Sequence, residues 1–267
     1  LVAAFVEMRF GKSSGDPEDV APEAHPDVAA SAPILSVARL NLAPTAVAPG
    51  LMDIDLEIRP GEILGIAGID GNGQKQLADA LSGQVHADSG VVVLDGQEIQ
   101  NWPVHARRDA GLRYLTDDRL GEGTVGSFPV SINLLLKQIG DRPFWRNGVE
   151  QRATIDARAR QLIGEFDIRT PGTSTPVARL SGGNIQKVIV ARELADGAKV
   201  VIFSKPTYGL DLANTLATRK RIREIARNGK AVLLISTDLE ELLGLCDRMA
   251  VMSAGATPSF SATSSAV

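Results

Sequence analysis

The chain has 267 residues, which is long enough for one large domain or two small ones with a buried core. Of these residues, 44% are hydrophobic and 22% are charged. Its formal net charge of -4 gives no general attraction to nucleic acid or anionic lipid. The single cysteine, Cys246, excludes an internal disulfide and is interpreted as a small buried hydrophobe, and no apolar run approaches the roughly 20 residues of a membrane span.

The first and last parts of the chain predict no folded structure. Residues 11–33 are rich in proline, alanine, serine and acidic residues without helical or strand periodicity, which is typical of a linker. We therefore expect folded structure from Ile34 onward. Residues 253–267 are small, polar and aperiodic, so we expect a flexible tail there.

Short strands and helices alternate between these ends. Residues 34–40 and 52–58 read as short alternating strands. Three later runs are apolar on both faces and predict strands in the middle of a parallel sheet covered by helices. These runs are residues 63–67, 200–203 and 231–235. Helical spacing of Ile155, Ala159 and Leu162 predicts a helix with one buried face, and the alternation as a whole indicates an α/β core.

A glycine-rich turn connects one of these strands to a helix in the sequence EILGIAGIDGNGQKQLADAL. Gly68, Gly71 and Gly73 let the backbone turn tightly and direct amide N–H groups at phosphate oxygens, beside the positive end of a helix dipole. The inner face of the helix is marked by Leu77, Ala78 and Leu81. The turn predicts a phosphate-binding loop, and a tight turn without a ligand is the alternative.

A second motif is more specific. LSGGN opens the helical stretch IQKVIVARELA, and about twenty residues later VVIFSKPTYGLD ends a buried strand. In order and spacing these segments resemble the signature, Walker B and D-loop segments of ATP-binding cassette (ABC) proteins, over roughly residues 34 to 252. The resemblance implies a P-loop NTPase core with a mostly parallel central sheet, an antiparallel β edge and an inserted helical subdomain.

Finer features resemble the second cassette of simple-sugar or nucleoside importer subunits, which hold two cassettes in one chain. These features are GNGQ in the phosphate loop, QK shortly after LSGGN, and CDRMAVM near the end. The implied domains are the end of a preceding cassette (1–10), a linker (11–33), a nucleotide-binding core (34–125 and 173–252), a helical subdomain (126–172) and a flexible tail (253–267).

The resemblance also assigns site residues, with ATP as the ligand. Those of the phosphate loop are Gly68, Asp70, Gly71, Asn72, Gly73, Gln74, Lys75 and Gln76. The signature residues that would contact ATP held by another cassette are Ser181, Gly182, Gly183 and Asn184. The D-loop residues are Gly209, Leu210 and Asp211. The alternative for LSGGN is a plain helix N-terminus capped by serine.

The phosphate loop departs from the pattern G-x-x-x-x-G-K-[ST], whose lysine neutralises the outer phosphates and whose hydroxyl holds magnesium. Gln74 and Lys75 stand at those two positions. Lys75 is one residue late, about 100° around the helix, so it is not assumed to replace the missing lysine. Magnesium binding in this chain's own site is therefore in doubt. No other metal site is predicted, since the histidines lie far apart in the sequence.

Catalytic positions are also altered. Ser204 and Lys205 stand where hydrolysing cassettes have an aspartate for magnesium and a glutamate that polarises water, and an ammonium cannot accept a proton from water. Thr237 corresponds to the switch histidine, and Asp117 to the glutamine-loop residue. We therefore expect no intact catalytic set and little hydrolysis here. The alternatives are that Ser204 and Lys205 are surface residues after a strand, or that the correspondence is displaced by one position.

The resemblance further implies partners. Another cassette, on the same native chain, would pair head to tail with this one, and permease subunits would hold the assembly at the inner, cytoplasmic face of the membrane. The alternatives are a regulatory or scaffolding cassette without catalysis, and a soluble ABC ATPase that acts on nucleic acid. The acidic balance and the lack of basic-aromatic patches argue against nucleic acid.

Overall fold

The structure is a computed structural model that describes residues 31–195 and 197–253. The predicted end of a preceding cassette, residues 1–10, therefore lies outside the described residues, as do most of the linker and of the tail. No helix in the two described ranges is both long and apolar enough to cross a membrane.

Within these ranges the strands are β1 (Leu35–Leu42), β2 (Leu51–Ile58), β3 (Ile63–Ala67), β4 (Ser89–Leu94), β5 (Gln97–Glu98), β6 (Leu112–Leu115), β7 (Trp145–Arg146), β8 (Val149–Glu150), β9 (Val200–Ser204), β10 (Ala231–Ile235) and β11 (Arg248–Val251). The α-helices are α1 (Gln74–Ser82), α2 (Val104–Asp109), α3 (Val130–Leu134), α4 (Arg152–Glu165), α5 (Gly182–Leu194), α6 (Leu212–Arg227) and α7 (Leu239–Leu245). A π-helical turn covers Arg119–Gly123, and 3-10 turns cover Leu136–Gln138 and Val177–Arg179.

The central sheet has the strand order β11-β3-β10-β9-β6. β10 runs parallel to both β3 and β9, so that Leu233 lies opposite Leu64 on one side and Ile202 on the other. All three side chains are buried. The three apolar runs therefore occupy the middle of a parallel sheet, as predicted. Burying both apolar faces of these strands away from water stabilises the folded state.

A separate antiparallel sheet has the order β2-β1-β4-β5. Its β1 and β2 pair with Val37 opposite Leu56, and both side chains contribute to the same hydrophobic core as the central strands. The predicted α/β class, with a parallel central sheet, antiparallel strands and helices, is confirmed. The structure places the antiparallel strands in a sheet of their own.

Cys246 is buried at the end of α7, and burial raises the pKa of its thiol.

The described residues form two compact units. One, here called the core unit, comprises residues 31–114, 199–205 and 219–253, and the other, the helical unit, comprises residues 115–195, 197–198 and 206–218. The helical unit contains α3, α4, α5 and the β7–β8 hairpin, with Leu135, Trp145 and Ile155 in a small core. The predicted buried face of α4 is confirmed. These units follow packing, so the subdomain boundaries taken from the resemblance stay predictions.

Candidate functional site

In the core unit, β3 leads into the glycine-rich loop and then into α1, whose inner face of Leu77, Ala78 and Leu81 is fully buried. Backbone and side chains approach closely at the start of this loop. A Cβ atom on Gly68 would lie 2.4 Å from Gln74 Nε2 and 2.7 Å from the Met252 carbonyl oxygen. Only glycine fits there without moving the chain.

Gln74 stabilises this loop from inside. Its side chain is buried, with 6% exposed. Its Oε1 accepts a hydrogen bond from the Asn72 N–H at 3.2 Å, and its Nε2 donates to the Ile69 carbonyl at 3.1 Å. A neutral amide therefore holds the loop at the position where the sequence pattern would place a lysine.

Lys75 is directed along α1. Its Nζ lies 3.2 Å from an Asp79 carboxylate oxygen, one helical turn further on. This contact agrees with the expectation that a lysine one residue late faces another side of the helix. The ammonium group of Lys75 therefore neutralises a carboxylate of its own helix.

The end of β9 provides a second cation near the loop. Ser204 is buried opposite Ile235 of β10, and the Lys205 N–H donates to the Ile235 carbonyl at 2.8 Å. Lys205 has a positive φ of 40°. Its Nζ lies 2.7 Å from Asp70 Oδ1 of the glycine-rich loop. This ion pair was not predicted from the sequence, although each of its members was singled out.

A pocket of about 440 Å³ lies beside the loop, at the ends of β3 and β10 and the start of α7. Asp70 and the exposed Thr237 contribute to its lining. The carboxyl ends of parallel strands are where open α/β sheets bind ligands. The core unit therefore brings the glycine-rich loop and Thr237 together around one concave surface, and Asp70 of that lining forms an ion pair with Lys205.

The signature is in the helical unit, where Ser181 is the N-cap of α5. Its hydroxyl makes no capping bond to the backbone and instead accepts a hydrogen bond from Asn184 Nδ2 at 2.9 Å. Asn184 Oδ1 in turn accepts from the Arg169 N–H at 2.8 Å. The hydroxyl hydrogen of Ser181 is therefore able to donate to an acceptor that approaches the helix N-terminus, as the predicted contact with a phosphate requires.

The D-loop is packed against the signature. Asp211 accepts hydrogen bonds from the backbone N–H of Asn214 at 2.9 Å and from its side chain at 2.6 Å, and these bonds hold the pKa of Asp211 below its usual value. A Cβ atom on Gly183 would lie 2.4 Å from Asn214 Cγ. Gly209 has a positive φ of 67°, and the following Leu210 N–H donates to the Thr207 carbonyl at 3.1 Å. Sequence reasoning missed Asn214.

Arg119 is a further residue that the sequence analysis missed. Its Nε donates to Gln186 Oε1 of α5 at 2.9 Å, and its Nη2 donates to the Tyr208 carbonyl, just before the D-loop. Burial lowers the pKa of Arg119, and the half-buried Asp117 acts in the opposite direction. In the sequence, the surrounding segment TDDRLGEG contains nothing that distinguishes Arg119 from a surface arginine.

Among residues 31–195 and 197–253, no group of three or more histidine, cysteine, aspartate or glutamate side chains could hold a metal ion.

The chain is also similar to known proteins. A family described as "ABC transporter" matches residues 51–208. The guanosine import ATP-binding protein NupO of Bacillus subtilis is 38% identical over 224 residues, which cover 84% of this chain and 44% of that protein. The nucleoside import ATP-binding protein NupA of Lactococcus lactis subsp. cremoris is 34% identical over 255 residues, 96% of this chain and 48% of that protein.

The ribose import ATP-binding protein RbsA 1 of Rubrobacter xylanophilus is 36% identical over 206 residues, 77% of this chain and 41% of that protein. The chain thus spans about half the length of the curated relatives it matches. Among solved structures, a nucleotide-free ATP-binding cassette from an ABC transporter superposes with a TM-score of 0.72 at 19% identity, over 85% of this chain and 90% of that chain. At this identity the likeness establishes the fold alone.

Proposed function

Because the chain belongs to the ABC transporter family, we propose that it is the second ATP-binding cassette of an importer ATP-binding protein for sugars or nucleosides. The names of its relatives support import of a nucleoside or of ribose. Their doubled length supports a native chain with two cassettes. In this proposal residues 1–10 end the preceding cassette and residues 11–33 link the two.

One observation carries the proposal: the signature is complete, whereas the chain's own phosphate loop is altered. Ser181 offers a hydroxyl hydrogen at the start of α5, and the first amides of that helix add the positive end of its dipole. Together these groups suit the terminal phosphate of ATP held by a facing cassette. The chain then completes its partner's catalytic site.

The chain's own site binds a nucleotide and hydrolyses it slowly or not at all. Lys205 stands at the position of the general base, and its ammonium group donates to Asp70, so it cannot accept a proton from water. Magnesium requires oxygen ligands. Here the loop provides an amide at Gln74 and an ammonium group at Lys75, and Asp70 is already paired. These residues do not fit the metal.

In the same proposal the paired cassettes act on permease subunits at the inner face of the membrane. A non-catalytic, regulatory cassette is the competing function, because the altered pocket would suit it equally. The two differ in whether Ser181 takes part in the partner's hydrolysis, and the following experiment separates them.

The experiment measures ATP turnover by a hydrolysis-competent first cassette of this family, alone and mixed with the present chain. We expect the chain to stimulate turnover and Ser181→Arg to abolish the stimulation, since the larger side chain fills the space for the terminal phosphate. Ser174→Arg, at another exposed serine of the helical unit, is the matched control and should retain it. Stimulation that survives Ser181→Arg would instead support the regulatory function.

A further inference from the structure

Lys205 is fixed to the sheet and reaches the phosphate loop. Its backbone N–H donates to the Ile235 carbonyl at 2.8 Å, and its φ of 40° lies in a region that residues other than glycine seldom adopt. This geometry turns the chain at the end of β9. The side chain is mostly buried, with 22% exposed, and its Nζ lies 2.7 Å from Asp70 Oδ1.

The other candidates for a phosphate-binding cation are directed elsewhere or lack charge. Gln74 is neutral and bonded to the backbone of its own loop. Lys75 pairs with Asp79 along α1. A nucleotide that binds through the amides of this loop would therefore meet the positive charge of Lys205, which extends from the end of β9.

Asp70 determines how that charge is held before a ligand arrives. Its carboxylate belongs to the phosphate loop, is 65% exposed, and would repel phosphate if it were not neutralised. An ammonium group has three donors on a flexible stem, so it can leave or share Asp70 when a more highly charged anion approaches.

Resting on the proposed binding of nucleotide, we propose that Lys205 is the cation that binds the terminal phosphates in this pocket, in place of both the loop lysine and magnesium. Asp70 holds the ammonium group in position when no ligand is bound and competes with the phosphates. The site therefore binds nucleotide without a divalent cation and does not activate water.

The test is calorimetric titration of the full chain with ATP and with AMP, in magnesium and in EDTA. Lys205→Gln should weaken ATP binding at least about tenfold, the effect of losing one charged hydrogen bond, and should change AMP binding less than about twofold. Lys205→Arg should restore most of the affinity. EDTA should not weaken ATP binding by the unchanged protein.

Two further variants sharpen the result. Asp70→Asn should strengthen ATP binding, and this gain should vanish when Lys205→Gln is also present. Lys199→Gln is the matched control, because Lys199 precedes β9 at its opposite end and pairs with Asp95 at 2.6 Å. It should leave ATP affinity unchanged.

Equal losses of ATP and AMP affinity in Lys205→Gln, or no loss at all, would overturn the role of Lys205 while leaving nucleotide binding intact. A strict requirement for magnesium would overturn it as well. If the unchanged protein binds no nucleotide, the proposed binding function of this pocket fails too. The Ser181 experiment reports separately on the completing function.

Discussion

Two adjacent glycines of the signature have different surroundings. A Cβ atom on Gly183 would lie 2.4 Å from Asn214 Cγ, whereas the nearest atom to a Cβ on Gly182 is Arg119 Nη1 at 3.8 Å. Asn214 cannot easily move aside, because Asp211 holds both its backbone and its side chain. The sequence LSGGN gives the two glycines equal weight, and packing distinguishes them.

We therefore expect Gly183→Ala to destabilise the helical unit by about 1–3 kcal/mol, as overpacking usually does. Gly182→Ala, the matched control, should be neutral or slightly stabilising, because alanine favours helix. Urea unfolding followed by the fluorescence of Trp145, in a Trp102→Phe background, reports on this unit. The double change Gly183→Ala with Asn214→Ala should recover most of the loss. Equal effects of the two glycine changes would show that the contact with Asn214 does not matter.

At the scale of elements, the last turn of α5 depends on one buried carboxylate. Glu193 is 1% exposed and lies 2.8 Å from Arg192 Nε and 2.7 Å from Lys137 Nζ. Burial alone would raise the pKa of Glu193, but the two cations outweigh it, and the pKa is lowered. The ion pair to Lys137 connects α5 to the 3-10 turn that follows α3.

Because the pKa of Glu193 is lowered in the folded state, the stability that Glu193 contributes decreases at low pH. Glu193 stabilises the folded state fully above its unfolded pKa of about 4.3, and this contribution is lost as the pH falls through the lower folded pKa. Glu193→Gln should cost about 3 kcal/mol at pH 7, because it breaks a buried pair. The difference from the unchanged protein should shrink below about pH 4.

Urea unfolding between pH 3 and pH 7, again followed by Trp145 fluorescence, measures this dependence. Glu165→Gln is the matched control, since Glu165 is exposed at the end of α4 in the same unit. It should change stability by less than about 0.5 kcal/mol. A pH-independent cost of Glu193→Gln would show that charge is not what stabilises this turn.

At the scale of the whole molecule, the described chain combines two sites with different chemistry. In the proposed function the helical unit presents the Ser181 hydroxyl and the first amides of α5 to a phosphate, and the core unit has a glycine-rich loop in which Asp70 pairs with the ammonium group of Lys205. A cassette of this kind would depend on another for catalysis.

We expect the chain alone to turn over ATP at least about 100-fold more slowly than a hydrolysis-competent cassette of the family, because in the proposed function a lysine, Lys205, stands at the position of the general base. Phosphate release under saturating ATP and magnesium is the measurement, with the competent cassette assayed in parallel. Turnover comparable to that cassette, and retained after Ser181→Arg, would show that the altered pocket hydrolyses ATP by itself.

The sequence alone predicted the local features of this protein. Apolar runs at residues 63–67, 200–203 and 231–235 became the middle strands, because burial on both faces is visible in any window of a few residues. The sequence also showed that Gln74 and Lys205 stand where the family pattern has a lysine and a glutamate, because each lies at a fixed spacing from a recognisable motif. The family motifs likewise predicted the fold class.

Only the tertiary structure decided which of these residues meet. Asp70 follows β3 and Lys205 follows β9, with β10 between them, so their ion pair depends on the strand order. Two strand spacings amount to about 9–10 Å, a gap that a long lysine side chain helps to bridge. The contact between Gly183 and Asn214 likewise joins segments that are remote in sequence. Pairing of distant segments is fixed by the packing of whole elements, and no local pattern records it.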